Sequence, residues 1–309
     1  MKQKNLVIFS LTLFLFTGIV SCQKEKTSGP DETKTEISTH SDDQSVFSAE
    51  VDAATDDANV ALEAAAAFSL REMGLDTIKV CGGYITWNLE SDPQVATITY
   101  TGSNCDGSRA KSGSVTVSVA KGTQWKNAGA IVTVRYNNLK ITRSWDKKSI
   151  TINGAQTYIN VSGGLLAKLS AQQHIIHTIA SDGLSITFDN GTQRTWKVAK
   201  QRDFTYDNGV VLSVSGNHTE GGIENIAEWG TNRYGAAFTT STIDPLVVRQ
   251  DCEFRLTSGT VKHEVAGISA TVTFGLDASG NPVTCPDNFF YKVVYTGPNG
   301  NSVSFILPY

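Results

Sequence analysis

From Thr77 onward, apolar and polar residues alternate with a period of two. Val115, Val117 and Val119 are separated by Thr116 and Ser118, and Val132, Val134 and Tyr136 by Thr133 and Arg135. The rhythm returns at Leu184, Ile186 and Phe188, at Val210, Leu212 and Val214, and at Val303, Phe305 and Leu307. This is the pattern of strands with one buried and one solvated face. Asn153-Gly154, Gly163-Gly164, Asp182-Gly183, Asn190-Gly191, Asn208-Gly209 and Gly221-Gly222 punctuate the pattern. Such pairs supply the positive φ angles of tight hairpins, so turns are expected at all six. Neighbouring strands then pair, which predicts an all-β meandering antiparallel sheet, built as a sandwich or a strongly curved sheet. Residues 165–181 also fit a helix through Leu165, Leu169, Ile176 and Ile179, but the turn signal after them favours a strand.

Upstream the period changes. Phe47, Val51, Ala54, Ala58, Leu62, Ala65 and Ser69 recur at steps of three and four, Asp42 and Asp43 stand at the front, and Gly74 follows. The spacing predicts one N-terminal helix over 42–73 with a modest apolar stripe, docked on the β body or offered to a partner. Asp52 and Asp56 share a face of that helix, but no third ligand accompanies them, so a solvated acidic face is expected in place of a calcium site. No linker interrupts residues 74–309, which are expected to form a single β-rich domain.

Composition narrows the class. The 309 residues are 40% hydrophobic and 18% charged, with 27 Gly and 7 Pro, which excludes collagen-like, coiled-coil and disordered chains. The formal charge of −4 is unevenly spread. Residues 31 to 63 hold ten Asp or Glu and one basic residue, Lys34, whereas 74–309 hold twenty basic and eighteen acidic residues. No concentrated basic stripe offers counterion release, so nucleic acid is set aside as a partner.

The first 22 residues carry an address. Lys2 and Lys4 precede a nearly all-apolar run from Leu6 to Phe16, too short to span a bilayer, and Val20-Ser21-Cys22 follows. This resembles the lipobox of bacterial lipoproteins. The resemblance implies a leader over 1–21, lipidation of Cys22 with acyl chains such as palmitate, and a membrane partner reached through that lipid. Residues 22–41, rich in Ser, Thr, Asp and Glu, are expected to be a disordered tether. Within it, Lys24-Glu25 resembles the surface-export signal of Bacteroidetes lipoproteins. The resemblance implies outer-membrane anchoring and leaves the surface and periplasmic sides both open.

Four cysteines remain, Cys81, Cys105, Cys252 and Cys285. An even number in an oxidising compartment favours disulfides. Three pairings are open, and sequence proximity and similar context favour Cys81 with Cys105 and Cys252 with Cys285. The zinc alternative lacks close-ligand spacing, so no metal is expected. A weak internal echo accompanies them. Ile98-Thr99-Tyr100-Thr101-Gly102, Cys105-Asp106-Gly107 and Gly113 to Val117 correspond to Val272-Thr273-Phe274-Gly275, Cys285 to Asn288 and Gly300 to Phe305. Two related disulfide-containing end units are therefore expected. With the leader, this arrangement of cysteines, Asp-Gly turns and alternating strands resembles uncharacterised β-rich lipoproteins of Bacteroidetes, which implies location and fold and carries no catalytic motif.

Candidate chemistry is sparse. A turn followed by arginine recurs at Gly107-Ser108-Arg109, Gly191 to Arg194 and Gly230 to Arg233. These arginines either cover an exposed strand face or form a ligand-binding ladder. Five tryptophans, Trp87, Trp125, Trp145, Trp196 and Trp229, are packing residues or sugar-stacking faces. Arg194, Trp196, Trp229 and Arg233 are the possible ligand contacts, for a glycan or an envelope protein. His174 and His177 would face opposite sides of a strand and cannot share one metal, and His218 and His263 stand alone. Glu220, Glu224 and Glu228 cluster near Gly221-Gly222 and Trp229. A glycan-active hydrolase would use Glu224 or Glu228, expected on one strand face. A lipid carrier would need an apolar cavity inside a curved sheet. No cofactor and no catalytic constellation are read from the chain, and the expected role is a non-catalytic binding or structural module.

Overall fold

A computed structural model describes residues 30–67 and 77–309 apart from 106, 266, 286 and 287, with helix side chains described from 39 to 63 apart from 45. The leader, Cys22, the first part of the tether, and Ser69 lie outside the described residues. One helix, α1 (Pro30–Ala67), precedes sixteen strands: β1 (Thr77–Val80), β2 (Gly83–Asn88), β3 (Gln94–Ser103), β4 (Arg109–Val119), β5 (Ala130–Arg143), β6 (Ser149–Asn160), β7 (Ile175–Phe188) and β8 (Gln193–Tyr206), then β9 (Val210–Gly216), β10 (His218–Glu220), β11 (Ile223–Thr231), β12 (Ala237–Arg249), β13 (Arg255–Val265), β14 (Ile268–Leu276), β15 (Phe290–Thr296) and β16 (Ser302–Pro308). The helix begins at Pro30, well before the expected Asp42, and takes in the second half of the expected tether. Pro30, whose ring fixes φ near the helical value, suits that early start.

The strands form one antiparallel sheet. From β1 to β8 each strand pairs with its successor. Then β8 forks, its first half pairing with β11 and its second half with β9, and both rejoin on β12. Of residues 165–181, Leu166–Lys168 form a short 3-10 turn, and the strand starts only at Ile175.

The curvature of this sheet has a local cause. Register shifts fall between Ser112 and Ser114, Tyr136 and Leu139, Asn153 and Thr157, and Ser181 and Leu184, in four consecutive strand pairs. Each such bulge adds bend and twist, and aligned across the sheet they curl it. Gly113, at φ +95°, fits this line because an added Cβ would stand 2.1 Å from the carbonyl oxygen of Asn138. Asn153-Gly154 and Asp182-Gly183, expected as hairpin turns, lie here inside β6 and β7. Asn190-Gly191, Asn208-Gly209 and Gly221-Gly222 do link strands.

The sheet curls around α1. Phe47, Val51, Ala54, Ala58 and Leu62 are buried as the stripe predicted, and they join one core with Ile98, Val115, Val134, Ile152, Ile186 and Trp196. The helix is so enclosed that Val60 is its one exposed residue among the described side chains. A second, smaller core lies in the C-terminal strands, around Leu256, Val272, Phe274, Tyr291 and Val293. Disulfides join Cys81 to Cys105 and Cys252 to Cys285, each with Cα atoms 5.2 Å apart, in the expected pairing. The echo between the end units does not extend to strand pairing: its two strands are the neighbours β3 and β4 at one end, but β14 and β16, separated by β15, at the other.

Candidate functional site

The inner face of the sheet is cationic. Alternation turns Arg109 and Lys111 of β4 inward, and Lys200 and Arg202 of β8 inward opposite them. Arg143 at the end of β5 and Arg233 between β11 and β12 complete the set near the N-terminal half of α1. All six are buried. Burial of a cation is tolerated only with a partner, and α1 supplies one for each. Asp43 receives the Arg233 guanidinium in two-pronged fashion, at 2.6 and 2.7 Å, and Asp189 holds its third nitrogen at 2.9 Å. Asp42 meets Arg143 at 2.5 Å. Glu50 takes both Arg109 and Lys111, the latter at 2.7 Å. Across the trough Asp52 lies 3.3 Å from Lys200, and Asp56 3.1 Å from Arg202.

Neutral contacts fill the spaces between these pairs. Tyr100 donates its hydroxyl to Asp57 at 2.6 Å, and Thr55 and Tyr158 share a hydrogen bond of 2.6 Å. Glu63 accepts the backbone N–H groups of Leu166 and Ala167 at 2.7 and 3.1 Å, fastening the 3-10 turn to the helix. Gln44 donates to Thr240 and Ser48 to Glu228. Burial raises the Asp43 and Asp56 carboxyls above the ordinary range against the pull of Arg233 and Arg202, and lifts Asp57 to about 6. Burial would lower the Lys200 ammonium, but Asp52 and Glu228 more than offset this and raise it.

Three imidazoles adjoin this interface. His40 of α1 has no exposed surface and packs against Trp196, Phe238 and His263, the last with ring centres 4.8 Å apart. His177 lies beside Trp125, with ring centres 4.9 Å apart. Burial pushes His40 and His177 down to about 3 and His263 to about 4, with help at His40 from His263 and at His177 from Arg202.

The four possible ligand contacts do not form one surface. Trp196 is fully buried in the trough, its indole N–H donating to Thr231 at 2.6 Å. Arg233 is consumed by Asp43 and Asp189. Arg194 braces the neighbouring connection through the carbonyls of Asn232 and Arg233. Trp229 is half-buried, stacked on His218 at 4.2 Å with Lys197 near its ring. Arg109 and Arg233, read as possible covers of an exposed strand face, are instead buried under α1. Asp52 and Asp56 likewise face cations, where a solvated face was expected.

The carboxylates near Gly221-Gly222 separate. Glu220 and Glu224 are exposed, whereas Glu228 is buried against Lys200 at 2.9 Å and Ser48 at 2.7 Å. Glu224 and Glu228 were expected on one face, but Asn225 adopts φ 55° and the register shifts between Ile226 and Glu228, so strict alternation fails. His174, just before β7, is exposed beside Asp203, while His177 within β7 is buried. Among the described residues, the one group of three potential metal-ligating side chains is Asp251 with the disulfide-bonded Cys252 and Cys285, whose sulfurs are already bonded to each other.

Sequence reasoning noted the acidic front but missed its destination. The available signal was cations at i, i+2 spacing, Arg109 with Lys111 and Lys200 with Arg202, on strands whose inward positions are otherwise apolar. The chain matches no protein-family model, no curated protein and no solved structure.

Proposed function

We propose that this protein is a non-catalytic, lipid-anchored module of the bacterial cell envelope, tethered to the outer membrane through acylated Cys22. The observation that carries the non-catalytic half is the neutralisation of the trough. The buried carboxylates Asp43, Glu50 and Glu228 each contact a cation, so no opposed free acid and base face a substrate there. Of the two candidate glutamates, Glu228 is bound to Lys200 and Ser48 while Glu224 is exposed, which weighs against the glycan-active hydrolase. An apolar cavity for a lipid carrier is replaced by α1 itself.

The anchored half rests on the leader and on chain order. Cys22 stands eight residues before α1, so a lipid there would hold the membrane close to the helix end nearest Arg143 and Arg233. In this reading α1 is the structural link between the anchor and a disulfide-stapled body, and the outer surface of that body meets an envelope partner or glycan. Mass spectrometry of the mature, unreduced protein tests it. Acylated Cys22 with both disulfides intact is expected, and Cys22→Ala should move the protein from the membrane to the soluble fraction. An unmodified Cys22 in a retained leader would defeat the reading.

A further inference from the structure

The histidines at the α1 interface have no role in the proposed anchoring. Three of the five in the chain are buried at or beside the helix–sheet interface, while His174 is exposed and His218 stacks on Trp229 outside it. Neither ring nitrogen of His40 has a hydrogen-bond partner, and the Nε2 atoms of His177 and His263 have none. Around His40, β8 presents Trp196, β12 presents Phe238 and β13 presents His263. Among the described side chains of α1, the neighbouring Asp42 and Asp43 are already bound to Arg143 and Arg233, and Glu228 of β11 is bound to Lys200 and Ser48. His263 has Thr240 on its Nδ1 at 2.9 Å, and its strand neighbours Lys262 and Glu264 pair with each other at 2.8 Å. His177 faces Trp125 and the cation Arg202. Among the described residues, no free carboxylate contacts any of the three to accept an added proton's charge. An imidazolium formed there would be a buried, unpaired cation, and at His40 a second one would face it.

We propose that these histidines make α1 an acid-labile insert, which leaves the trough on acidification while the disulfide-stapled sheet remains folded. The sign follows from linkage. Each imidazole binds its proton more weakly in the docked state, so docking is fully supported above about pH 6.5 and loses support as pH falls toward 4. Asp57, and in direction Asp43, Asp56 and Glu63, act oppositely, since they bind protons more readily when docked. The small residues Ala54, Ala58 and Ala61 on the buried stripe leave the helix less apolar grip than larger side chains would. Freed helix would also release Asp42, Asp43, Glu50, Asp52 and Asp56 from the trough cations.

Hydrogen exchange by mass spectrometry on the full mature chain, corrected for the intrinsic pH dependence, reads this directly. Between pH 7.5 and 4.5 protection of peptides from 40 to 62 should fall at least ~10-fold, the effect of a single unit of net proton linkage. Peptides from β5 and β6 should keep theirs. His40→Phe, which preserves an apolar ring at this site, should cut the loss severalfold, and His263→Phe should do so if the first variant folds poorly. His174→Phe should change nothing. Retained helix protection at pH 4.5, simultaneous loss in helix and sheet, or an unchanged transition in both inward variants would each overturn the proposal.

Discussion

The two ends of the sheet keep their interiors by opposite means. In the larger region, β3 to β8 with β11 to β13 curl around a helix, and six buried cations are paired with its carboxylates. In the smaller region, β13 to β16 need no helix. Phe274, Tyr291 and Tyr309 pack edge to face or tilted, with ring centres 5.6 to 5.9 Å apart, over Leu256 and Val293. The Tyr309 hydroxyl donates to the Leu256 carbonyl at 2.5 Å, so this polar atom of the cluster is satisfied by backbone. Its ion pairs, such as Lys262 with Glu264, stay on the surface. Apolar packing is indifferent to acid, whereas the three buried imidazoles of the larger region are not. The difference makes the N-terminal region conditional in a way that the C-terminal region is not.

The sharpest break of this contrast is Glu50→Ala. It strands two buried cations, Arg109 and Lys111, and should destabilise the protein by about 3 to 5 kcal/mol in urea unfolding, the range for breaking a buried pair. Acid comes next. At pH 5 each of the three inward histidines should cost ~2 kcal/mol against pH 7.5, with Asp57 returning about 1, for a loss on the order of 5 kcal/mol from which Asp43, Asp56 and Glu63 subtract. Scanning calorimetry across that interval should show the loss in the helix-bearing transition, and a flat stability profile would sink the account. Replacing Cys252 and Cys285 by serine opens a link spanning 33 residues and should cost about 3 to 4 kcal/mol, comparable with removing the 24-residue link at the other end. Lys262→Ala, on the surface of the apolar region, should change stability by less than about 1 kcal/mol, and a larger effect would mean that region also depends on charge.

Much of the architecture is written locally in the chain. Period-two alternation at Val115 to Val119 or Leu184 to Phe188 reports a strand because a pleated backbone can bury alternate residues and nothing else fits that rhythm. The stripe from Phe47 to Leu62 reports a helix for the same kind of reason. Asn153-Gly154 and Asp182-Gly183 misled because a hairpin turn and a bulge both require positive φ. Residue type therefore cannot tell a strand that ends from one that bends. Charge misled differently. Asp52 and Asp56 look the same in sequence whether they face water or Lys200 and Arg202, and only the curl of the sheet brings those partners within 3.3 Å. Glu228 shows both limits at once, turned inward by an irregularity at Asn225 that alternation cannot foresee.

The claim beneath all of this is that α1 belongs inside the trough, held by its charges. A double-mutant cycle on Asp43 and Arg233, using Asp43→Asn, Arg233→Gln and the pair, measures that holding energy directly by denaturant unfolding. The account predicts a coupling of at least ~2 kcal/mol, as for close desolvated ion pairs. Additive effects, with coupling under about 0.5 kcal/mol, would place the helix outside the trough in solution and contradict it.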